Sequence, residues 1–153
     1  MRVLVAFLLL LVACEREPYA PGSFPGAAIP NGPVRTMGCL DATFRPVRDG
    51  GLDVLHVDLG NRCWRPTRVD LRALRIQMTD ADGATFPLTL DDPRHEVETL
   101  TLDTMTHARE HFYLSGGNLA RARLVCFDVS HIAPDAPDAH PAPICIPAEG
   151  AHG

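Results

Sequence analysis

Beyond residue 37, apolar residues recur at every second position, in short runs closed by turn-forming residues. Period-two alternation places one set of side chains on each face of an extended strand, and a helix of 3.6 residues per turn scrambles it. Leu40, Ala42 and Phe44 share one face of a first run. Leu55, Val57 and Leu59 share a face of the second, with His56 and Asp58 opposite. Val69 and Leu71 open a third run that Leu74, Ile76 and Met78 continue. Phe86, Leu88 and Leu90 form another, followed by Val97, Leu100 and Leu102. From Arg121 to Val129, Arg123, Val125, Phe127 and Val129 alternate with Ala122, Leu124, Cys126 and Asp128, and Ile144-Cys145-Ile146 adds a last short run. Turns stand between them at Asp49-Gly50-Gly51, Gly60-Asn61, Asp80-Ala81-Asp82-Gly83, Asp91-Asp92-Pro93 and Ser115-Gly116-Gly117-Asn118. Turn signals about every 8–12 residues predict an antiparallel all-β sandwich or barrel. One stretch reads both ways: Thr104 can cap a short helix reaching Gly116, with Met105, Ala108 and Phe112 at helical spacing.

The chain has 153 residues and five cysteines. Cys39, Cys63, Cys126 and Cys145 lie within the strand pattern. Four cysteines allow three pairings. If the runs around 37–45 and 52–60 pair across Asp49-Gly50-Gly51, the numbers of opposite residues sum to about 100. That register brings Cys39 within reach of Cys63, and Cys126 and Cys145 flank a Pro-rich loop in the same way. The expectation is Cys39–Cys63 and Cys126–Cys145, the alternative being free or metal-binding thiols. Disulfides imply an oxidising compartment outside the cytoplasm.

The amino-terminal segment supports that placement. Arg2 is followed by an unbroken apolar stretch, Val3 to Ala13, of 11 residues. A bilayer span needs about 20, so this length suits the core of an export signal. The four residues Leu11-Val12-Ala13-Cys14 resemble the lipobox of bacterial lipoproteins. The resemblance implies cleavage before Cys14 and acylation of its thiol, with two or three chains giving stable membrane anchoring. Glu15 stands where some family members carry an Asp for inner-membrane retention, which tilts the expected address toward the outer membrane. Residues 15–36 hold five Pro and three Gly in 22 positions. They read as an extended, solvated tether of roughly 70 Å, Tyr19 and Phe24 included. The expected organisation is a signal over 1–13, a lipidated tether over 14–36, a folded domain over 37–147 and a tail over 148–153.

A second resemblance covers Val57-Asp58-Leu59-Gly60-Asn61, Pro66, Val69-Asp70-Leu71, Ile76, Asp82-Gly83 and Phe86-Pro87-Leu88. This stretch resembles immunoglobulin-like domains of bacterial lipoproteins. In those domains an Asn ends one strand, a Pro starts a bulged connection and a Gly turn precedes an aromatic strand. It implies an immunoglobulin-like antiparallel β-sandwich of about 7–8 strands with two disulfides. Trp64, beside Cys63 in a turn, departs from the antibody pattern of a mid-strand Trp.

Chemistry-bearing patterns are few. His107-Ala108-Arg109-Glu110-His111 fits H-x-x-E-H, in which two His on one helix face hold zinc and Glu acts as base. A looser copper or zinc site could combine His107 and His111 with Met105. Cys126 and His131 have the spacing of half a blue-copper loop, but no Met follows Met105. Asp80, Asp82 and Gly83 match only a fragment of a calcium loop. Arg62, Arg65, Arg68, Arg72 and Arg75 place five cations in 14 residues, suited to an anionic partner or to a solvated edge. No phosphate-cradling Gly loop occurs, and the three serines, Ser23, Ser115 and Ser130, lie in no nucleophile motif. A net charge of −5, from 14 basic residues that are all Arg against 19 acidic ones, argues against nucleic acid. The reading is a non-enzymatic envelope lipoprotein without a cofactor, bound to the membrane by its anchor and able to meet an envelope protein or glycan. Metal binding is the alternative, and a small metallohydrolase the third reading.

Overall fold

A computed structural model describes residues 19–20, 34–91, 99–135 and 142–148. The architecture is all-β with two disulfides, as the alternation and cysteine spacing predict. Its strands are β1 (Arg35–Met37), β2 (Leu40–Asp49), β3 (Leu52–Asn61), β4 (Thr67–Val69) and β5 (Arg75–Asp80). They continue as β6 (Thr85–Asp91), β7 (Leu100–Leu102), β8 (His107–Ser115), β9 (Ala122–Asp128) and β10 (Ile144–Pro147). Eight form one antiparallel sheet in the order β1-β2-β3-β8-β6-β5-β9-β10, while β4 and β7 pair separately. The sheet folds over on itself at β6, which pairs with β5 through Leu88 and with β8 from Thr89 onward.

The β2–β3 hairpin anchors this arrangement. Asp49 pairs with Leu52, so only Gly50 and Gly51 make the turn. Both have positive φ, 57° and 86°, a conformation that glycine adopts without steric cost and that matches strand twist. Every pair, from Leu40 with Asn61 to Asp49 with Leu52, sums to 101. One face of the hairpin buries Leu40, Ala42, Phe44, Leu55, Val57 and Leu59. The layer folded over it contributes Ile76, Met78, Val125 and Phe127. Phe44 stacks on Phe127 across the core with ring centroids 5.1 Å apart, a contact that stabilises by about 0.5–1.5 kcal/mol beyond area burial.

Both expected disulfides are present, Cys39–Cys63 and Cys126–Cys145. The first closes the open end of the hairpin, where Arg62 N donates to Cys39 O at 2.8 Å. The second bridges residues directly opposite on β9 and β10. Closing loops of these lengths, 24 and 19 residues apart in sequence, stabilises by about 3 kcal/mol each in the loop-entropy model.

Four expectations are corrected. Residues 107–115 form strand β8, not a helix; Thr104 and Met105 are a turn, with Thr106 N donating to Asp103 O. The apolar positions Ala108, Phe112 and Leu114 share even parity, a strand signal interrupted by Glu110, and β8 satisfies the open edge of β3. The run from Val69 to Met78 is split by a 3-10 turn at Leu71–Ala73, capped by Asp70, whose side chain accepts from Arg72 N. Phe86, expected on a buried face, is 39% exposed beside buried Leu88. The domain begins earlier than residue 37, because Arg35–Met37 pair with Leu40–Ala42. Val97, Phe24 and the tail beyond 148 lie outside the described residues.

Asn61 locks the end of β3. It is fully buried at 0% exposure. Its Nδ2 donates to Leu102 O at 2.9 Å, Arg65 O at 3.0 Å and Asp103 O at 3.1 Å. Its Oδ1 accepts from Cys63 N at 2.8 Å and from Thr67 Oγ1 at 3.3 Å. One side chain thus joins β3, the 62–66 loop, β4 and β7. Asn61→Ala strips partners from several buried groups at once and lowers unfolding free energy by about 3–5 kcal/mol. Urea denaturation of the oxidised chain measures this; a loss below about 0.5 kcal/mol, ordinary for a surface change, would contradict the role.

Candidate functional site

The face of β2, β3 and β8 turned away from the core is polar. Asp41, Thr43 and Arg45 of β2 lie opposite Gly60, Asp58 and His56 of β3, which pair in turn with His107, Arg109 and His111 of β8. Arg109 Nε donates to Asp58 Oδ1 at 2.6 Å across the strands. His56 and His111 face each other with ring centroids 6.4 Å apart. Burial, followed by the nearby His111 and Arg45, pushes the His56 imidazole below its ordinary value, with Asp58 acting in the opposite direction.

At one end of this face lies a slot for a single side chain. Gly60 forms its floor: any Cβ there would overlap the Tyr19 ring. Tyr19 is 2% exposed and donates its hydroxyl to Asp41 Oδ2 at 3.0 Å. Its backbone N–H donates to Met105 O at 2.7 Å. Met105 adopts a φ of +57°, a strained conformation for a non-glycine residue. Asp41, itself 2% exposed, also accepts from Thr36 Oγ1 at 2.8 Å and pairs with Arg62 Nε at 3.1 Å. A carboxylate buried to this degree must be paired and hydrogen-bonded; the Tyr19 and Thr36 hydroxyls supply the hydrogen bonds and Arg62 the opposite charge. The expectation of a solvated Tyr19 is therefore corrected. Its Pro-rich neighbours argued for a free tether, but a buried carboxylate accepting its hydroxyl and a side-chain-free floor outweigh them.

Beyond the slot the chain leads through Arg62 and bridged Cys63 to Trp64, which is 95% exposed. The loop carrying it is held by Cys39–Cys63, by the Asn61 hydrogen bonds and by Arg65, whose Nη2 donates to Asp135 O at 3.2 Å. The Arg series is thus divided in use. Arg62 pairs with Asp41, and Arg72 pairs with Asp70 at 3.1 Å and holds that carboxyl below its usual range. Arg65 and Arg68 are exposed.

The proposed metal ligands do not converge. His107 and His111 are exposed on β8, and positions four apart along a strand are about 13 Å distant, against about 6 Å on a helix face. The zinc-peptidase geometry needs a helix that this segment does not form. Met105 is tied into the turn through its carbonyl. Among the described residues no group of three or more His, Cys, Asp or Glu side chains could hold a metal. Cys126 is bridged to Cys145 and so has no thiolate to offer copper. Asp80 ends β5 and holds the turn that follows: its Oδ1 accepts from Asp82 N and Ala84 N at 3.0 and 2.9 Å. A shallow groove of about 190 Å³ lies elsewhere, lined by Met78, Phe86, Gly117 and Arg121. Cys14, the expected lipidation site, lies outside the described residues.

Neither a family model, nor a curated protein, nor a solved structure matches this chain.

Two outcomes follow from this geometry. Tyr19→Phe leaves Asp41 one donor short and lowers stability by about 1–3 kcal/mol in thermal unfolding, whereas an unchanged midpoint would contradict the docked ring. His56 binds its proton less tightly when folded than at the unfolded value of 6.5. Below that value the unfolded state holds more protons, so stability falls as pH drops through about 6.5. His56→Gln flattens this decline between about pH 7 and 5; an unchanged slope would assign it to other groups.

Proposed function

We propose that this chain is an exported, lipid-anchored lipoprotein of the bacterial cell envelope whose immunoglobulin-like domain serves a non-enzymatic binding or structural role. The observation that carries the export is the pair of disulfides, Cys39–Cys63 and Cys126–Cys145. The first closes the open end of the β2–β3 hairpin and the second joins opposite residues of β9 and β10, and such bridges persist in oxidising compartments. Leu11-Val12-Ala13-Cys14, after an apolar stretch too short to span a bilayer, supports acylation at Cys14. With Cys14 acylated and four cysteines bridged, all five are accounted for. An immunoglobulin-like kinship draws on the loose motif match between Val57 and Leu88 and on the folded antiparallel layers. Neither bridge joins the two layers across the core as in antibody domains; each links neighbouring strands or their ends.

The anchor is tested by metabolic labelling with radioactive palmitate. Label in the wild-type chain that is absent from Cys14→Ser is expected; no label, or label retained in the variant, would contradict it. The oxidised domain, released from cells without reductant, is expected to show no thiol reactive with a maleimide. Reactive Cys39, Cys63, Cys126 or Cys145 would contradict export to an oxidising compartment.

A further inference from the structure

We infer that the Cys39–Cys63 end of the domain seats on the lipid headgroup layer, with Trp64 at the interface and Arg65 and Arg68 toward anionic phospholipids. This rests on the proposed anchor at Cys14. The first argument is chain length. Arg35 of β1 is 21 residues from Cys14, enough for roughly 70 Å of extended chain. Tyr19 is only five residues from Cys14, at most about 17 Å. Because Tyr19 is docked on Gly60 and Asp41, the leash ends there. The domain sits against the membrane rather than on a long stalk, and the end nearest the anchor is the one carrying Tyr19.

The second argument is what that end displays. Tyr19 connects through Asp41 to Arg62, and Trp64 follows two positions later. Trp64 is 95% exposed, on a loop fixed by a disulfide and by Asn61. Its mount is already ordered, so seating costs little further entropy. Indole rings partition to the membrane–water boundary, where one edge is apolar and the other wet. Among the described residues, the exposed basic side chains near this end are Arg65 and Arg68, with Arg35 on β1 and His107 on β8, and the exposed acids are Asp103 and Asp135. Arg65 lies on the Asp135 carbonyl rather than on a carboxylate, leaving its charge available to phosphate.

Trp64 is the sole tryptophan, so its fluorescence reports on this surface alone. The mature chain from Cys14 is coupled through that thiol to a maleimide phospholipid in phosphatidylethanolamine–phosphatidylglycerol vesicles, independently of acylation in cells. Emission is expected to shift to shorter wavelength, with quenching by spin-labelled lipid near the headgroups. Gly60→Ala, which evicts Tyr19 and lengthens the leash, is expected to weaken that quenching. For the uncoupled Cys14→Ser chain, Arg65→Gln with Arg68→Gln is expected to weaken partition onto the same vesicles by about 30-fold. Coupled chain whose Trp64 stays at solvent-exposed emission, quenched by aqueous iodide and not by lipid, would overturn the surface even with the anchor intact. So would crosslinking of Trp64 to an envelope protein with no lipid quenching. Failure of palmitate labelling would instead remove the anchor on which the surface rests.

Discussion

Two buried polar side chains at the end of the β2–β3 hairpin, Asn61 and Asp41, require partners, and meeting that requirement organises the rest of the molecule. A buried amide or carboxylate without hydrogen bonds costs more than the net gain of making them. Asn61 therefore gathers Leu102, Asp103, Arg65, Thr67 and Cys63 around itself. Asp41 gathers Tyr19, Thr36 and Arg62. The first set welds the small β4–β7 pair and the Trp64 loop onto the main sheet. The second draws a residue far upstream of β1 into the fold. The apolar core supplies the bulk of the stability, but these groups decide how the loops and Tyr19 attach.

The same end carries the features that bear on function. The Cys39–Cys63 bridge, the slot for Tyr19, the exposed Trp64 and the exposed Arg65 lie within a few residues of one another along the chain or across the pairing. The opposite tip of the hairpin is a plain Gly50-Gly51 turn. Polarity of this kind fits a domain held by one end. The H-x-x-E-H string runs instead along the face of a strand, where the pleat spreads its side chains and the chemistry suggested by the string has no geometry to support it.

The hairpin was legible because three independent signals agreed: strict alternation in β2 and β3, a two-glycine turn and cysteines at matching offsets. The expected register differed from the observed sum of 101 by one, within the tolerance of counting from a turn. The β9–β10 pair and its bridge were legible for the same reason. Residues 107–115 were not, because Glu110 interrupts the alternation and Met105, Ala108 and Phe112 imitate a helix; pairing to β3 decides the matter. Tyr19 was hidden by the Pro-rich composition around it. Its signal was Gly60, an isolated glycine inside a strand, which marks a close approach by another group, although the glycine by itself does not say which group arrives. The exposure of Trp64 was equally hidden, since tryptophan is usually well buried and only the disulfide-held loop keeps it out.

Docking of Tyr19 is the point on which both the organisation of this end and the proposed membrane geometry turn. Hydrogen exchange at the Tyr19 amide tests it most directly, because that N–H donates to Met105 O at 2.7 Å. In the oxidised chain the amide is expected to exchange far more slowly than in an unstructured peptide, and to lose that protection in Gly60→Ala while the core strands keep theirs. Exchange of the Tyr19 amide at the rate of a free peptide in the unmodified chain would contradict the docked segment.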